Sequence, residues 1–289
     1  MSWVGSNNLT EFQKFCIKVL KCGPVPNHIA IIMDGNRRYA KKTNVQKAVG
    51  HSKGFEKLAE CLHWCRELGI KEVTVYAFSI ENFKRSPDEV DALMELAKEK
   101  FRKIFEEKDK LMQEGVCIRV IGNLSLLPED LRKLIAEAAL LTENNTKSIL
   151  NVAFSYTSRE EMTYSLKTIL QGIKDGLIDN GDVSEELISS CLYTQLSRNP
   201  EILIRTSGES RLSDFLLWQI SDTDIYFTDV LWPEFSIWHL LGFVFKYQRQ
   251  YNTKSHDVLS PQVLDHKIQT FVEQVKIQRR KQLEIYSML

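Results

Sequence analysis

Neither charge is in excess: Lys+Arg and Asp+Glu both total 38 in 289 residues. A bulk electrostatic case for nucleic acid is absent, so any cationic site must be local. The six cysteines (Cys16, Cys22, Cys61, Cys65, Cys117 and Cys191) form no CxxC pair. Cys61 and Cys65 are four apart with no second cluster, which is not a zinc-ligand pattern; they read as small apolar core residues of a reducing compartment. No apolar run approaches the ~20 residues that span a bilayer, and no cationic-then-apolar signal opens the chain. A cytosolic chain is therefore expected. Contact with a membrane surface stays open through Trp3, Phe12, Phe15, Ile17 and Leu20, although packing on the main domain is the plainer use of that stripe. There is no internal repeat and no low-complexity tract. The phosphate loop GxxxxGK[ST] is missing, and no GxGxxG follows a strand, which disfavours ordinary nucleotide and dinucleotide handling.

The hydrophobic content, 43%, suits one large domain with extra helices at its ends. Apolar, β-branched runs at 28–33, 72–78, 116–121, 149–154, 202–205 and 224–227 read as strands. Helical spacing fills 50–68, 87–113, 128–142 and 158–171 between them. Alternation of this kind predicts an α/β fold: a central, mostly parallel six-stranded sheet flanked by helices. An added N-terminal helix and a C-terminal helical tail complete it. Ser86, Pro87 and Glu89 predict a capped start for the helix from 87. Its stripe Val90, Leu93, Met94, Ala97, Phe101, Ile104, Phe105 and Leu111 fits either a core or one wall of an elongated apolar cavity. Residues 252–256 read as a linker. A charged helix follows over 264–286, and its Arg279-Arg280-Lys281 run reads first as a solvated face, with partner or membrane contact as the other use.

The strongest local signal is Met33-Asp34-Gly35-Asn36-Arg37-Arg38, at the end of the first strand. Glycine lets a backbone approach a ligand, and two guanidiniums suit phosphate oxygens. A carboxylate there would repel phosphate unless it holds a bridging Mg²⁺. Alone, the six residues serve equally well as a strand-to-helix turn with solvated charges. Two further polar loops follow strands at the same edge, Ser79-Ile80-Glu81-Asn82-Phe83-Lys84-Arg85 and Arg205-Thr206-Ser207-Gly208-Glu209-Ser210-Arg211. Ligands of parallel sheets sit at that edge, so the convergence favours an anion site. Arg37, Arg38, Arg85, Arg205 and Arg211 exceed the needs of one phosphate group. Beside an apolar wall they predict two diphosphates and a greasy substrate tail.

These segments resemble the cis-prenyltransferases, also called undecaprenyl or dehydrodolichyl diphosphate synthases. The matching stretches are HIAIIMDGNRRYA, the GHxxG at Gly50-His51 to Gly54, YAFSIENFKR, IRTSGESRLSDFLLWQ and YFTDVLWPEF. The Asp-Asp-x-x-Asp of the all-helical trans-type prenyl enzymes is absent. The eukaryotic catalytic subunits are the nearest branch, through Met-Ser-Trp at the start and the extra C-terminal helix. The resemblance implies an N-terminal amphipathic helix over 1–24, a catalytic domain over 25–251 and a helical tail over 252–289.

It also implies extension of farnesyl diphosphate by isopentenyl diphosphate to a long Z-polyprenyl diphosphate of dolichol type, at the cytoplasmic face of the endoplasmic reticulum membrane. Asp34 matches the Mg²⁺ aspartate. Gly35, Asn36, Arg37, Arg38 and Arg85 match the allylic diphosphate site, with Arg37 at a variable position. Arg205, Arg211 and Ser213 match the isopentenyl diphosphate site. His51, Ser79, Glu81 and Asn82 match polar residues near the reacting carbons, and Phe83 stands where bacterial members often have Trp. Asn82, His51 or a phosphate oxygen takes the final proton.

Self-sufficient members end in an Arg-x-Gly that completes a neighbour's isopentenyl diphosphate site. Arg249-Gln250-Tyr251-Asn252 lacks that glycine, which implies a heteromer with a Nogo-B-receptor-type non-catalytic subunit. Asp224 cuts the other way, because it matches a carboxylate that reaches Mg²⁺ in a neighbouring subunit; a self-sufficient homodimer is the alternative. About three extra residues around Glu106-Glu107-Lys108 imply a longer tunnel than in short-product relatives. A non-catalytic scaffold would be expected to have lost Asp34 or the Arg205/Arg211 pair. A phosphatase or kinase of small metabolites leaves the long apolar helix unexplained.

Overall fold

The computed structural model describes residues 9–251 and 265–289. The chain opens with α1 (Glu11–Leu20), β1 (His28–Ile32), α2 (Asn36–Lys42), α3 (Lys47–Leu68) and β2 (Glu72–Ser79). It continues through α4 (Pro87–Glu106), α5 (Lys108–Glu114), β3 (Val116–Ile121), α6 (Glu129–Thr142), β4 (Ser148–Tyr156) and α7 (Ser158–Lys174). The last elements are α8 (Glu185–Ser190), β5 (Ile202–Arg205), β6 (Asp224–Phe227), α9 (Ile237–Tyr251) and α10 (His266–Ser287).

All six strands are parallel, in the order β3-β4-β2-β1-β5-β6. β1 lies inside the sheet and all five of its residues are buried, the expected fate of a continuous apolar run with helices on both faces. Alternation sorts it into two cores. Ile29 and Ile31 join Leu58, Trp64, Phe101 and Leu240 on one face. Ala30 and Ile32 join Phe215, Leu216 and Ile220 on the other. That smaller core anchors the loop that carries Arg211 and Ser213. Cys61 and Cys65 are buried in the first core, as the sequence indicated.

The helix expected over 87–113 is two helices. Glu107 leaves helical geometry (φ −105°, ψ 15°), and α5 then closes on Gly115 and feeds β3. Hydrophobic spacing is blind to this break, because Ile104 and Leu111 are two turns apart and stay in phase across it. The capping box expected from Ser86 and Glu89 is not formed: Ser86 makes no side-chain cap bond. Glu89 accepts from Arg85 and Lys47 instead, because charged donors hold a carboxylate better than one backbone amide does.

The linker expected at 252–256 lies outside the described residues, as does Trp3. α1 uses its two faces differently. Ile17 is buried and Cys16 and Leu20 pack on the main core, whereas Phe12 (65%), Phe15 (61%) and Val19 (53%) are exposed. Phe12 lies 5.8 Å from the ring of Trp238 on α9. No helix among the described residues is long and apolar enough to cross a membrane. The basic run of α10 is engaged within the molecule, since Arg280 pairs with Glu143 (3.0 Å) and Glu284 (2.6 Å).

The GHxxG segment has a packing reason. A Cβ on Gly50 would sit 2.5 Å from the Asn36 carbonyl oxygen, and one on Gly54 would sit 2.3 Å from Asn36 Oδ1. Both glycines let α3 seat directly on the start of α2. The Gly54 carbonyl accepts from Trp232 Nε1 at 2.7 Å, and Trp232 is fully buried. Trp232→Ala leaves a large cavity and removes the bond to the Gly54 carbonyl, so a loss of about 3–5 kcal/mol is expected. Urea unfolding monitored by circular dichroism measures it; a loss under about 1 kcal/mol contradicts this packing role.

Candidate functional site

Three loops leave the carboxyl ends of β1, β2 and β5 and enclose one cavity of about 1150 Å³. Asp34 begins the first. Its Oδ1 accepts from the Gly35 N–H at 2.7 Å. Gly35 has φ 109°, and a Cβ there would lie 3.1 Å from both the Leu231 backbone and Ser207, so the turn needs glycine. Arg205 closes the other side of Asp34. Its Nη2 donates to Asp34 Oδ2 at 2.9 Å, and its Nη1 donates to Ser213 Oγ at 2.7 Å and to the Arg211 carbonyl. Only 3% of this side chain is exposed. Burial pushes the Asp34 carboxyl up, but hydrogen bonding and charge from Arg205, the Gly35 N–H and Arg38 outweigh it and hold the group below its ordinary value.

The remaining cations form two groups. Arg38 lies 3.7 Å from Asp34 and 3.3 Å from Glu209, and its Nη2 donates to Ser207 Oγ at 2.5 Å. Glu209 also accepts from Arg211. Across the cavity, Glu89 gathers Arg85 (2.9 Å), Lys47 (3.0 Å) and Arg37 (3.6 Å). Eight Lys and Arg residues against four carboxylates line the main cavity, in a chain of zero net charge. Two separated cationic groups with Asp34 between them suit two diphosphates better than one. Glu89 and Glu209 were missed as site residues. Their signals were the Arg85-to-Glu89 spacing of four at a helix start and the Glu-x-Arg of Glu209 and Arg211.

The polar loop after β2 is self-ordered. Ser79 Oγ accepts from the Glu81 N–H (3.2 Å), and the Asn82 side chain accepts from the Ser79 N–H (3.1 Å). Ser79, Glu81 and Asn82 all line the cavity, with Glu81 half-exposed and paired to Lys84 at 2.5 Å. His51 lines the cavity from α3. Its Nε2 is buried with no partner among the described residues. Burial first, and then the charge of Arg85, lower its pKa to about 4. The imidazole is therefore neutral at physiological pH. Below 6.5 the unfolded chain binds a proton that the folded chain refuses, so His51 makes stability fall as pH drops from 6.5 toward 4. An NMR titration of the ligand-free protein should give a His51 midpoint near 4; a midpoint near 6.5 contradicts the buried placement. Tyr76 donates from its hydroxyl to the carbonyls of Tyr156 (3.0 Å) and Ser213 (3.3 Å), and burial pushes its pKa up to about 12.

Asn36, Arg37, Arg38, Arg85, Arg211 and Ser213 all line the cavity, as do Asp34, Gly35 and Arg205. Two expected residues do not. Phe83 turns its ring onto Phe78, edge-on at 4.9 Å, because an apolar ring gains more in the core than over charged loops. Asp224 opens β6 opposite Ile202, at the other end of the strands from Asp34, so it does not share the Asp34 site within this chain. The α4 stripe divides. Met94, Phe101 and Ile104 are buried core, whereas Leu93 lines both the main cavity and an adjoining one of about 330 Å³ with Ala92 and Leu96. That gives the charged site an apolar flank between α3 and α4.

No cluster of three or more His, Cys, Asp or Glu able to hold a metal occurs among the described residues. Asp34, with its carboxylate on the cavity wall, still fits Mg²⁺, which usually takes one or two protein carboxylates and completes its shell with substrate phosphates and water.

Residues 32–254 match the Prenyltransf family model, which describes undecaprenyl diphosphate synthases. The chain is 55% identical to a dehydrodolichyl diphosphate synthase complex subunit of Homo sapiens over 252 residues, 87% of this chain and 76% of that one. It is 44% identical to a dehydrodolichyl diphosphate synthase complex subunit of Schizosaccharomyces pombe over 243 residues, 84% of this chain and 92% of that one. Its fold superposes on lavandulyl diphosphate synthase from Lavandula x intermedia, solved with dimethylallyl diphosphate, with a TM-score of 0.73 and 34% identity over 78% of this chain and 95% of that one. The family model spans most of the chain and the two dehydrodolichyl relatives are 44–55% identical over more than four fifths of it, so the chain, with its Asp34 turn and arginine-bearing loops at one edge of a parallel sheet, belongs to the cis-prenyltransferase family.

Proposed function

We propose that the chain is the catalytic subunit of a Mg²⁺-dependent dehydrodolichyl diphosphate synthase. It extends farnesyl diphosphate with successive isopentenyl diphosphate units to a long Z-polyprenyl diphosphate, for dolichol synthesis and protein glycosylation. The carrying observation is Asp34 between two cationic groups in one cavity with an apolar flank.

Asp34 would hold Mg²⁺, which when bound neutralises charge developing on the departing allylic diphosphate. Arg37 and Arg85, on the Glu89 side, orient that diphosphate and stabilise its charge together with Arg38, which lies 3.7 Å from Asp34 and 3.3 Å from Glu209 and so serves both groups; each charge-assisted contact is worth roughly 1.5–3 kcal/mol. Arg205, Arg211 and Ser213 bind isopentenyl diphosphate so that its alkene faces the allylic carbon. The chain supplies no nucleophile, because the alkene attacks. The growing tail runs past Leu93 toward the space between α3 and α4. Asn82, neutral His51 or a phosphate oxygen accepts the proton lost as the new double bond forms.

A Nogo-B-receptor-type partner completes the isopentenyl diphosphate site. Arg249, Gln250 and Tyr251 end α9 as helix, and Asn252 lies outside the described residues. The edge strand β6 leaves Ile225 and Phe227 exposed, a face suited to a second subunit. Asp224, at the edge of that strand, would reach the metal of a neighbouring chain. Phe12, Phe15, Val19 and Trp238 form an exposed apolar patch suited to peripheral contact with the cytoplasmic face of the endoplasmic reticulum membrane.

Incubation with farnesyl diphosphate, labelled isopentenyl diphosphate and Mg²⁺, with and without such a partner, tests the reading. Label should enter a lipid-soluble product with the partner and be lost on chelation. No lipid-soluble label in either tube refutes the elongase. Full activity without the partner refutes only the heteromer and favours the homodimer.

A further inference from the structure

The matched family segment ends at residue 254, yet α10 beyond it is built into the molecule. Phe271, Val272 and Val275 are buried against Ile169, Leu187 and Cys191 of α7 and α8 and the turn after α8. Gly172 makes room for this: a Cβ there would sit 2.4 Å from the Phe271 ring. One turn further along, Arg279 lies over the rings of Tyr164 (5.1 Å) and Tyr193 (5.7 Å). Its two terminal nitrogens donate to the carbonyls of Cys191 and Leu192, each at 2.5 Å. A planar fork that stacks while it donates twice is a use only arginine serves.

The segment so fixed leads directly to the isopentenyl diphosphate loop. Thr194 donates from its N–H and its hydroxyl to Glu161 (3.0 and 3.1 Å). Glu161 is fully buried, and among the described residues no Lys or Arg pairs with it. It is held by neutral donors, the Tyr156 hydroxyl (2.6 Å) and Gln219 Nε2 (2.9 Å) among them. Gln219 also donates to Thr194 Oγ1 at 2.8 Å, and the Leu217 N–H donates to Ser158 Oγ at 2.7 Å. Between Arg211 and Gln219, Ser213, Asp214 and Leu216 have φ of 52°, 59° and 50°. Three non-glycine residues in left-handed geometry persist only where their surroundings over-determine them.

We propose that α10 is a brace for this loop: Arg279 fixes the 191–192 carbonyls, which sets Thr194 and Gln219 on Glu161 and so holds Ser213 and Arg211 in the geometry that binds isopentenyl diphosphate. Arg279 is a positioning residue: it covers the Tyr164 and Tyr193 rings and does not line the main cavity. The inference rests on the two-diphosphate reading above.

The test compares Arg279→Ala, Arg279→Lys and Arg280→Ala in the full chain with its partner. Among the described residues Arg280 pairs with Glu143 and Glu284, and it is the control. Arg279→Ala should raise the KM for isopentenyl diphosphate about five- to tenfold, with kcat and the KM for farnesyl diphosphate within about twofold. Hydrogen exchange of residues 211–219 should quicken about tenfold. Arg279→Lys should fall between Ala and wild type, and it carries the test should the alanine variant not fold. Arg280→Ala should change neither readout. Unchanged exchange and KM in the Arg279 variants overturn the brace, as does an equal rise in both KM values. Hydrogen exchange needs no turnover, so it judges the brace even where the elongase reading itself fails.

Discussion

Asp34→Ala is expected to lower kcat by about a thousandfold or more while the chain stays folded. Metal-assisted stabilisation of a leaving diphosphate is worth several kcal/mol, and each 1.36 kcal/mol is a factor of ten. The substitution also strips the buried Arg205 of the carboxylate 2.9 Å away. Arg205 keeps Ser213 Oγ and the Arg211 carbonyl as acceptors, so it is not left without partners. Asp34→Asn keeps the size and the hydrogen-bonding capacity but not the charge, and should lose nearly as much activity. Steady-state rates measured against Mg²⁺ concentration, with circular dichroism as the folding control, check both variants. Near-normal turnover in Asp34→Ala would mean that the metal is held elsewhere.

Arg205→Ala should reduce kcat/KM for isopentenyl diphosphate by about a hundredfold or more. The guanidinium joins the two halves of the site, with Asp34 on one nitrogen and the Arg211–Ser213 loop on the other. Three charge-assisted bonds of roughly 1.5–3 kcal/mol each are lost together. Arg205→Lys should recover less than about a tenth of the activity, because an ammonium is a point donor and cannot span both partners. The change should fall on isopentenyl diphosphate more than on farnesyl diphosphate, since Arg85 and Arg37 lie on the Glu89 side. A lysine variant with wild-type efficiency would show that charge alone matters at this position.

β1, β2 and β5 were legible because each is rich in apolar, β-branched or aromatic residues and ends in a polar loop. That pattern also marks the cavity edge, because ligands of parallel sheets sit outside the carboxyl ends of the strands. What escaped the sequence depends on long-range partners. Glu89 looks like a cap residue until Lys47 and Arg37 are seen beside it, forty or more residues away in the chain. Glu107 breaks a helix without disturbing its hydrophobic phase. Phe83 sits in a motif of site residues yet packs its ring edge-on against Phe78 and the main core rather than lining the cavity. Arg279 reads as one charge in a basic run, and only the docking of α10 shows the carbonyls it serves.

The central claim is that one cavity holds two diphosphate substrates at once. Titrating isopentenyl diphosphate into the chain and its partner, already saturated with Mg²⁺ and an unreactive farnesyl thiodiphosphate, tests it most directly. The account predicts one isopentenyl diphosphate bound per catalytic chain, with the farnesyl analogue retained. Displacement of the analogue, or no binding until it is removed, would contradict the account, because the two cationic groups would then be one site.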